Sequence, residues 1–165
     1  MKKTVLCAIF TVLAAITSFA QSGESIYKKY SGNKGGSAVY ISPSMFRMIG
    51  KLPDLEIEDT DINLAGIIQT LNGLYIIEAE NKSIADALLS DVEKFVGSKK
   101  YELMMETRSD DETVRIYTSG NENIVEGFVM LAVESDEVVF ISLDGTMPRQ
   151  ELEKLLSKAI EGQAQ

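Results

Sequence analysis

Between Tyr101 and Leu143 the apolar residues recur at every second position, and short polar links interrupt the pattern three times. A period of two belongs to β-strands, whose successive side chains point to opposite faces. Four strands are therefore predicted: Tyr101 to Thr107, Thr113 to Thr118, Ile124 to Glu134 and Val138 to Leu143. Their connectors hold Ser109, Asp110 and Asp111, then Gly120, Asn121 and Asn123, then Ser135 and Asp136. Links this short join neighbours as hairpins, so the segment folds as an antiparallel meander.

The remainder reads mostly as helix. Ile26, Tyr27 and Tyr30 give Glu24 to Tyr30 one apolar side, and the glycine-rich stretch Ser31 to Gly36 is loop. After a short strand at Val39 to Ile41, Ser42 and Pro43 fit an N-cap and first helical position, with Met45, Met48 and Ile49 expected to line one face up to Gly50. Ile62, Ala65, Ile68 and Leu71 mark another short helix, and Leu74 to Ala79 a strand. Ser83 and Asp86 resemble a capping box ahead of the stripe Ile84, Leu88, Val92 and Phe95, which stops at Gly97. A closing helix from about Pro148 to Ile160 presents Leu152, Leu155, Leu156 and Ala159. Strands grouped in a run predict an α+β fold: two layers, a largely antiparallel sheet of about six strands, and helices mainly on one face.

The chain opens with Met1, Lys2 and Lys3, runs uncharged from Thr4 to Ile16 and reaches Ser18, Phe19 and Ala20. That order of basic, apolar and small-x-small segments predicts a signal peptide over 1–20, cut before Gln21, and a single α+β domain over 21–165. A spanning anchor needs about 20 apolar residues, more than this stretch supplies. Cys7, the single cysteine, lies inside the apolar run and is expected to leave with the leader, unlipidated. The protein is then exported to the periplasm or the exterior, with no disulfide and no thiol nucleophile. Losing Lys2 and Lys3 reduces 16 basic residues to 14 against 25 acidic ones, a net charge of −11. Nucleic acid and anionic membranes are excluded as partners on that balance.

Histidine and tryptophan are absent. Without histidine there is no serine or cysteine triad and no ordinary pH switch. Asp59-Thr60-Asp61-Ile62-Asn63 starts like an EF-hand loop, but Leu64 stands where the glycine belongs and Thr70 where the bidentate glutamate belongs, so a solvated acidic loop is expected. The methionines suggest Cu(I), yet Met104 and Met105 are strand neighbours facing opposite ways, and packing is the expected role. Glu102 and Glu106 should lie near Arg115 on the next strand as an ordinary cross-strand charge pair. Asn81-Lys82-Ser83 has the glycosylation spacing but serves as a helix start.

Tyr27-x-x-Tyr30, Val39-Tyr40-Ile41-Ser42 before Met45-Phe46, Lys100-Tyr101-Glu102-Leu103-Met104, Val114-Arg115-Ile116-Tyr117 and the run Val138 to Gly145 together resemble a family of small secreted Bacteroidetes proteins, domain of unknown function 4252. The resemblance spans most of the chain after the leader and carries no catalytic residues. It implies an exported domain, with a link to envelope signalling.

The reading from sequence is an exported, non-catalytic interaction module without cofactor or metal. It acts on a protein partner or by self-association, with no membrane anchor after leader removal. The alternatives are a small-ligand or cation-binding module with a pocket between sheet and helices, and a carboxylate-dependent hydrolase. The strands Ile124 to Glu134 and Val138 to Leu143 are apolar on both faces, unlike the pair before them. If the helices cover one side, the other side of that half of the sheet is left bare, and Val129, Leu131, Phe140 and Ile141 are the candidate interaction surface.

Overall fold

Two local devices near the N-terminus set the first helix. The Ser22 hydroxyl accepts the Ser25 amide at 3.1 Å and the Ser25 hydroxyl accepts the Ser22 amide at 2.8 Å, a reciprocal cap that starts α1 (Gly23–Tyr30). Ile26 and Tyr30, one turn apart, are its buried side chains. The structure, a computed structural model, describes residues 22–51, 64–98 and 101–163. The predicted leader, the acidic Asp59–Asn63 segment and the first residues of the helix expected from Ile62 lie outside the described residues.

Strand β1 (Gly36–Ile41) is followed by α2 (Pro43–Ile49), with Ser42 capping the Met45 amide at 3.3 Å and proline in the first turn as expected. Helix α3 (Leu64–Gln69) ends sooner than its spacing suggested, because Leu71 already begins β2 (Leu71–Ala79) and is buried there. Helix α4 (Lys82–Ser98) starts from Asn81 instead of Ser83: the Asn81 side-chain oxygen accepts the Ser83 amide at 3.1 Å and the Ile84 amide at 3.4 Å. Asp86, read as a capping partner, pairs with Lys82 at 3.1 Å. Then come β3 (Glu102–Arg108), β4 (Thr113–Gly120), β5 (Ile124–Val133), β6 (Val138–Pro148) and α5 (Arg149–Gln163).

All six strands form one antiparallel sheet in the order β1-β2-β6-β5-β4-β3. The meander from β3 to β6 is as predicted, and the α+β class holds. What the period could not give is that β2 pairs with β6, which moves β5 and β6 into the middle of the sheet. Strands apolar on both faces belong there, since a central strand is covered from both sides.

The two faces carry separate cores. In register across β2, β6 and β5, Ile77, Phe140 and Leu131 face one way, and Ile26 and Tyr30 of α1 with Leu88, Val92 and Phe95 of α4 close over them. Leu74, Leu143 and Phe128 face the other way, where Phe46 of α2, Ile67 of α3 and Leu152 of α5 collect. The long α4 and α1 thus share one face, while the other three helices gather at one end of the second, which its apolar side chains require. Lys29 and Tyr30 of α1 both donate to Asp91 of α4, at 2.5 and 2.8 Å, and tie that helix pair together. Among the described residues no helix is long and apolar enough to cross a membrane.

Candidate functional site

Three of the four surface residues expected from sequence are interior. Val129, Leu131 and Phe140 are each 0% exposed, in the core beneath α1 and α4. Ile141 alone of the four points to the second face, where it is half-buried. The candidate surface therefore does not lie on β5 and β6. Their two-sided apolar pattern marks the centre of the sheet, and what it was taken to expose is covered by helix on one side.

Most of the large exposed apolar side chains among the described residues lie instead around β1: Val39 is 44% exposed, Tyr40 47%, Met45 43% and Met48 58%, while Leu103 on β3 and Ile124 on β5 are exposed singly. Met45, Met48 and Ile49 were expected to line one face of α2, and of these Met45 and Met48 are exposed. Phe46 is the side chain the helix buries, at 6% exposure, because a seven-residue helix docked by one large ring leaves the i and i+3 methionines on its outer side. Val39 heads a row that crosses the sheet in register through Ile76, Ile141, Met130 and Ile116 to Met105, so Ile141 lies two strands in from the exposed end.

β1 is also an edge strand, and within Gly36–Ile41 it holds no charge, no proline and no register shift. A sheet edge offers unpaired amides and carbonyls, and proteins blunt it with charge, proline or bulges. From Gly36 to Phe46 there is no charged residue, and the β1–β2 register runs without a break. The opposite edge is guarded: β3 carries Glu102, Glu106 and Arg108, and a register shift falls between Leu103 and Met105. That bulge also separates the two glutamates expected to approach Arg115. Glu106 accepts from Arg115 at 2.7 Å, while Glu102 pairs with Thr118 on the other face.

Beside the β1 edge, three tyrosine rings pack together. Tyr40 stacks on Tyr75 with centroids 5.2 Å apart and planes at 10°, and Tyr27 of α1 lies tilted 5.8 Å from each. Tyr75 is 5% exposed, and burial, then the Glu24 and Asp144 carboxylates, push its hydroxyl up to about 12. Gly73 makes room for it, since a Cβ there would stand 2.7 Å from the Tyr75 oxygen. The buried ring fixes the exposed one, giving a rigid aromatic platform of the kind that anchors protein contacts with little loss of side-chain freedom.

A second feature is a cleft of about 410 Å³ between the start of α1, the end of α4 and strands β4 to β6. Tyr101, Ser119, Glu126 and Asp144 supply its polar lining. Ser142, fully buried, donates to Asp144 at 3.4 Å, and burial and then Asp144 raise the Tyr101 hydroxyl. Gly127 lets the Tyr101 hydroxyl sit over β5, where a Cβ would come within 2.6 Å of it. The cleft is rich in oxygen acceptors and suits a polar or cationic molecule. Among the described residues no three His, Cys, Asp or Glu side chains gather to hold a metal. The methionines are dispersed likewise: Met147 is buried in the second core, Met104 packs against it, and Met45 and Met48 are at the β1 corner.

The absence of charge over Gly36 to Phe46 was the sequence signal for this surface. A protein-family model described as Domain of unknown function (DUF4252) matches residues 29–155. No curated protein matches the chain.

Proposed function

On the premise that the chain belongs to the DUF4252 family, we propose that it is an exported, non-catalytic interaction module of the cell envelope that binds protein through the β1 edge. The observation that carries this reading is the exposed, uncharged edge strand flanked by Val39, Tyr40, Met45 and Met48. A partner strand laid along β1 completes its hydrogen bonds, and the apolar side chains on either side supply the specificity, which is the logic of strand addition. Export is supported by the leader over 1–20 alone, and the envelope form should begin at Gln21 by mass spectrometry.

Photo-crosslinking tests the surface. A crosslinking residue placed at Tyr40 or Met48 should yield discrete protein adducts in the native envelope, and one at Leu103 on the guarded edge should not. No adduct from either β1 position, with the protein present and folded, overturns the reading. A second reading, a small polar or cationic ligand in the cleft, is supported by Glu126 and Asp144 in its wall. Chemical-shift changes confined to Tyr101 and Ser119 on adding an amine would favour it.

A further inference from the structure

The methionines that follow the predicted leader divide by accessibility. Met147 is buried in the second core, and Met104, Met105 and Met130 are half-buried on the sheet. Met45 and Met48 are the exposed ones, and both stand on the outer side of α2. Residues three apart on a helix are surface neighbours, so the two thioethers form one patch. Phe46 is the ring that docks α2 on the core, and neither sulfur is needed for that contact. In a chain whose cysteine leaves with the leader and which has no tryptophan, an exposed thioether is the side chain most open to oxidation.

We infer that Met45 and Met48 are a paired oxidation site, at which a peroxide converts one flank of the proposed binding surface from apolar to polar while the fold stays intact. The inference rests on the interaction reading above and supplies its regulation. With hydrogen peroxide, each thioether sulfur gives two electrons and the O–O bond breaks. One oxygen forms the sulfoxide bond, and the other leaves as water with both peroxide hydrogens. The product is a polar hydrogen-bond acceptor on a side chain that was apolar. A partner that buries this oxygen without offering a donor loses about tenfold in affinity or more. Met147, by contrast, sits in the second core with Phe46 and Leu152, where an oxidant reaches the sulfur only if the fold opens. Export, on the leader reading, sets the pair outside the cytosol and its thiol reductants.

The test treats the purified mature chain, carrying the crosslinking residue at Tyr40, with hydrogen peroxide and then removes the peroxide with catalase. Peptide mass spectrometry maps the oxygen gained, and tryptic cleavage after Arg47 separates the two sulfurs. Met45 and Met48 should each gain one oxygen before any other methionine, with near-UV circular dichroism unchanged by the treatment. Returned to the envelope, the oxidised chain should lose Tyr40 adduct about tenfold or more. Methionine sulfoxide reductase with a dithiol, which becomes a disulfide as the oxygen leaves as water, should restore the adduct. M45L/M48L should give the same adduct yield before and after peroxide. Oxidation that reaches the other methionines as fast as the pair, ellipticity lost once only the pair is oxidised, or an M45L/M48L chain that loses adduct as wild type does would each overturn the inference. Untreated protein that gives no Tyr40 adduct sinks the interaction reading and the regulation with it. An adduct that persists with both sulfurs oxidised sinks the regulation alone.

Discussion

Phe140→Ala and Ile141→Ala, neighbours in sequence, should differ several-fold in cost. Phe140 is 0% exposed, flanked in register by Ile77 and Leu131, and closed over by the helix pair α1 and α4. Truncating such a ring loses its transfer energy and leaves a cavity that rigid strands on both sides cannot close, about 3–5 kcal/mol. Ile141 faces the other way and is half-buried, so its truncation should cost about 1–2 kcal/mol, roughly half the range for a fully buried site. Domains of this size are stable by roughly 5–15 kcal/mol, so the first change removes a large fraction and the second a small one. At about 2–4 °C per kcal/mol, Phe140→Ala should lower Tm by roughly 6–20 °C. Urea titration followed by far-UV circular dichroism measures both, and near-UV ellipticity of the tyrosine cluster gives a second probe in a chain without tryptophan. Equal losses, or a larger loss at Ile141, would refute the assignment of the helix-covered core to the Phe140 face.

Asp91→Asn should cost about 1–2 kcal/mol at neutral pH, since it weakens two hydrogen bonds to a charged acceptor that hold α1 on α4. Burial raises the Asp91 carboxyl, but the bonds from Lys29 and Tyr30 outweigh it and leave its pKa lowered, so this stability is complete above the ordinary carboxylate pKa and disappears as pH falls through the depressed one; wild type and variant should converge in acid melts. In a spectrophotometric titration Tyr75 should ionise near 12, and Tyr75→Phe should delete that step. Gly127→Ala should cost about 1–3 kcal/mol by driving a Cβ to within 2.6 Å of the Tyr101 hydroxyl, an overpacking penalty that Tyr101→Phe partly relieves in a thermal melt.

Local patterns carried most of the elements. The caps at Ser42 and Pro43, the α4 stripe of Leu88, Val92 and Phe95, and the alternation in β3 to β6 are each set by neighbours in sequence, and each appears where the spacing puts it. What was not legible is long-range. Nothing near Leu74 announces that β2 will pair with Val138–Pro148, yet that pairing decides that β5 and β6 are central and β1 is an edge. The surface assigned to Val129, Leu131 and Phe140 failed on that point. Spacing alone could not say which side of α2 docks, because Met45, Met48 and Phe46 are all apolar and only the docked geometry selects Phe46. One long-range fact was foreshadowed, the Arg115–Glu106 pair, because a hairpin makes it local; the bulge that removed Glu102 from it was not.

The two edges of the sheet differ in what they offer a further strand. If both edges of a six-stranded sheet were bare, strand addition would repeat from copy to copy and end in a fibre. Here β1 carries no charge, while β3 bears Glu102, Glu106 and Arg108 and is broken by a bulge. Removing the β3 guard with Glu102→Thr and Arg108→Thr should therefore give larger assemblies than wild type in sedimentation at equal concentration. A variant that sediments as wild type does at every concentration would mean that these charges do not close that edge.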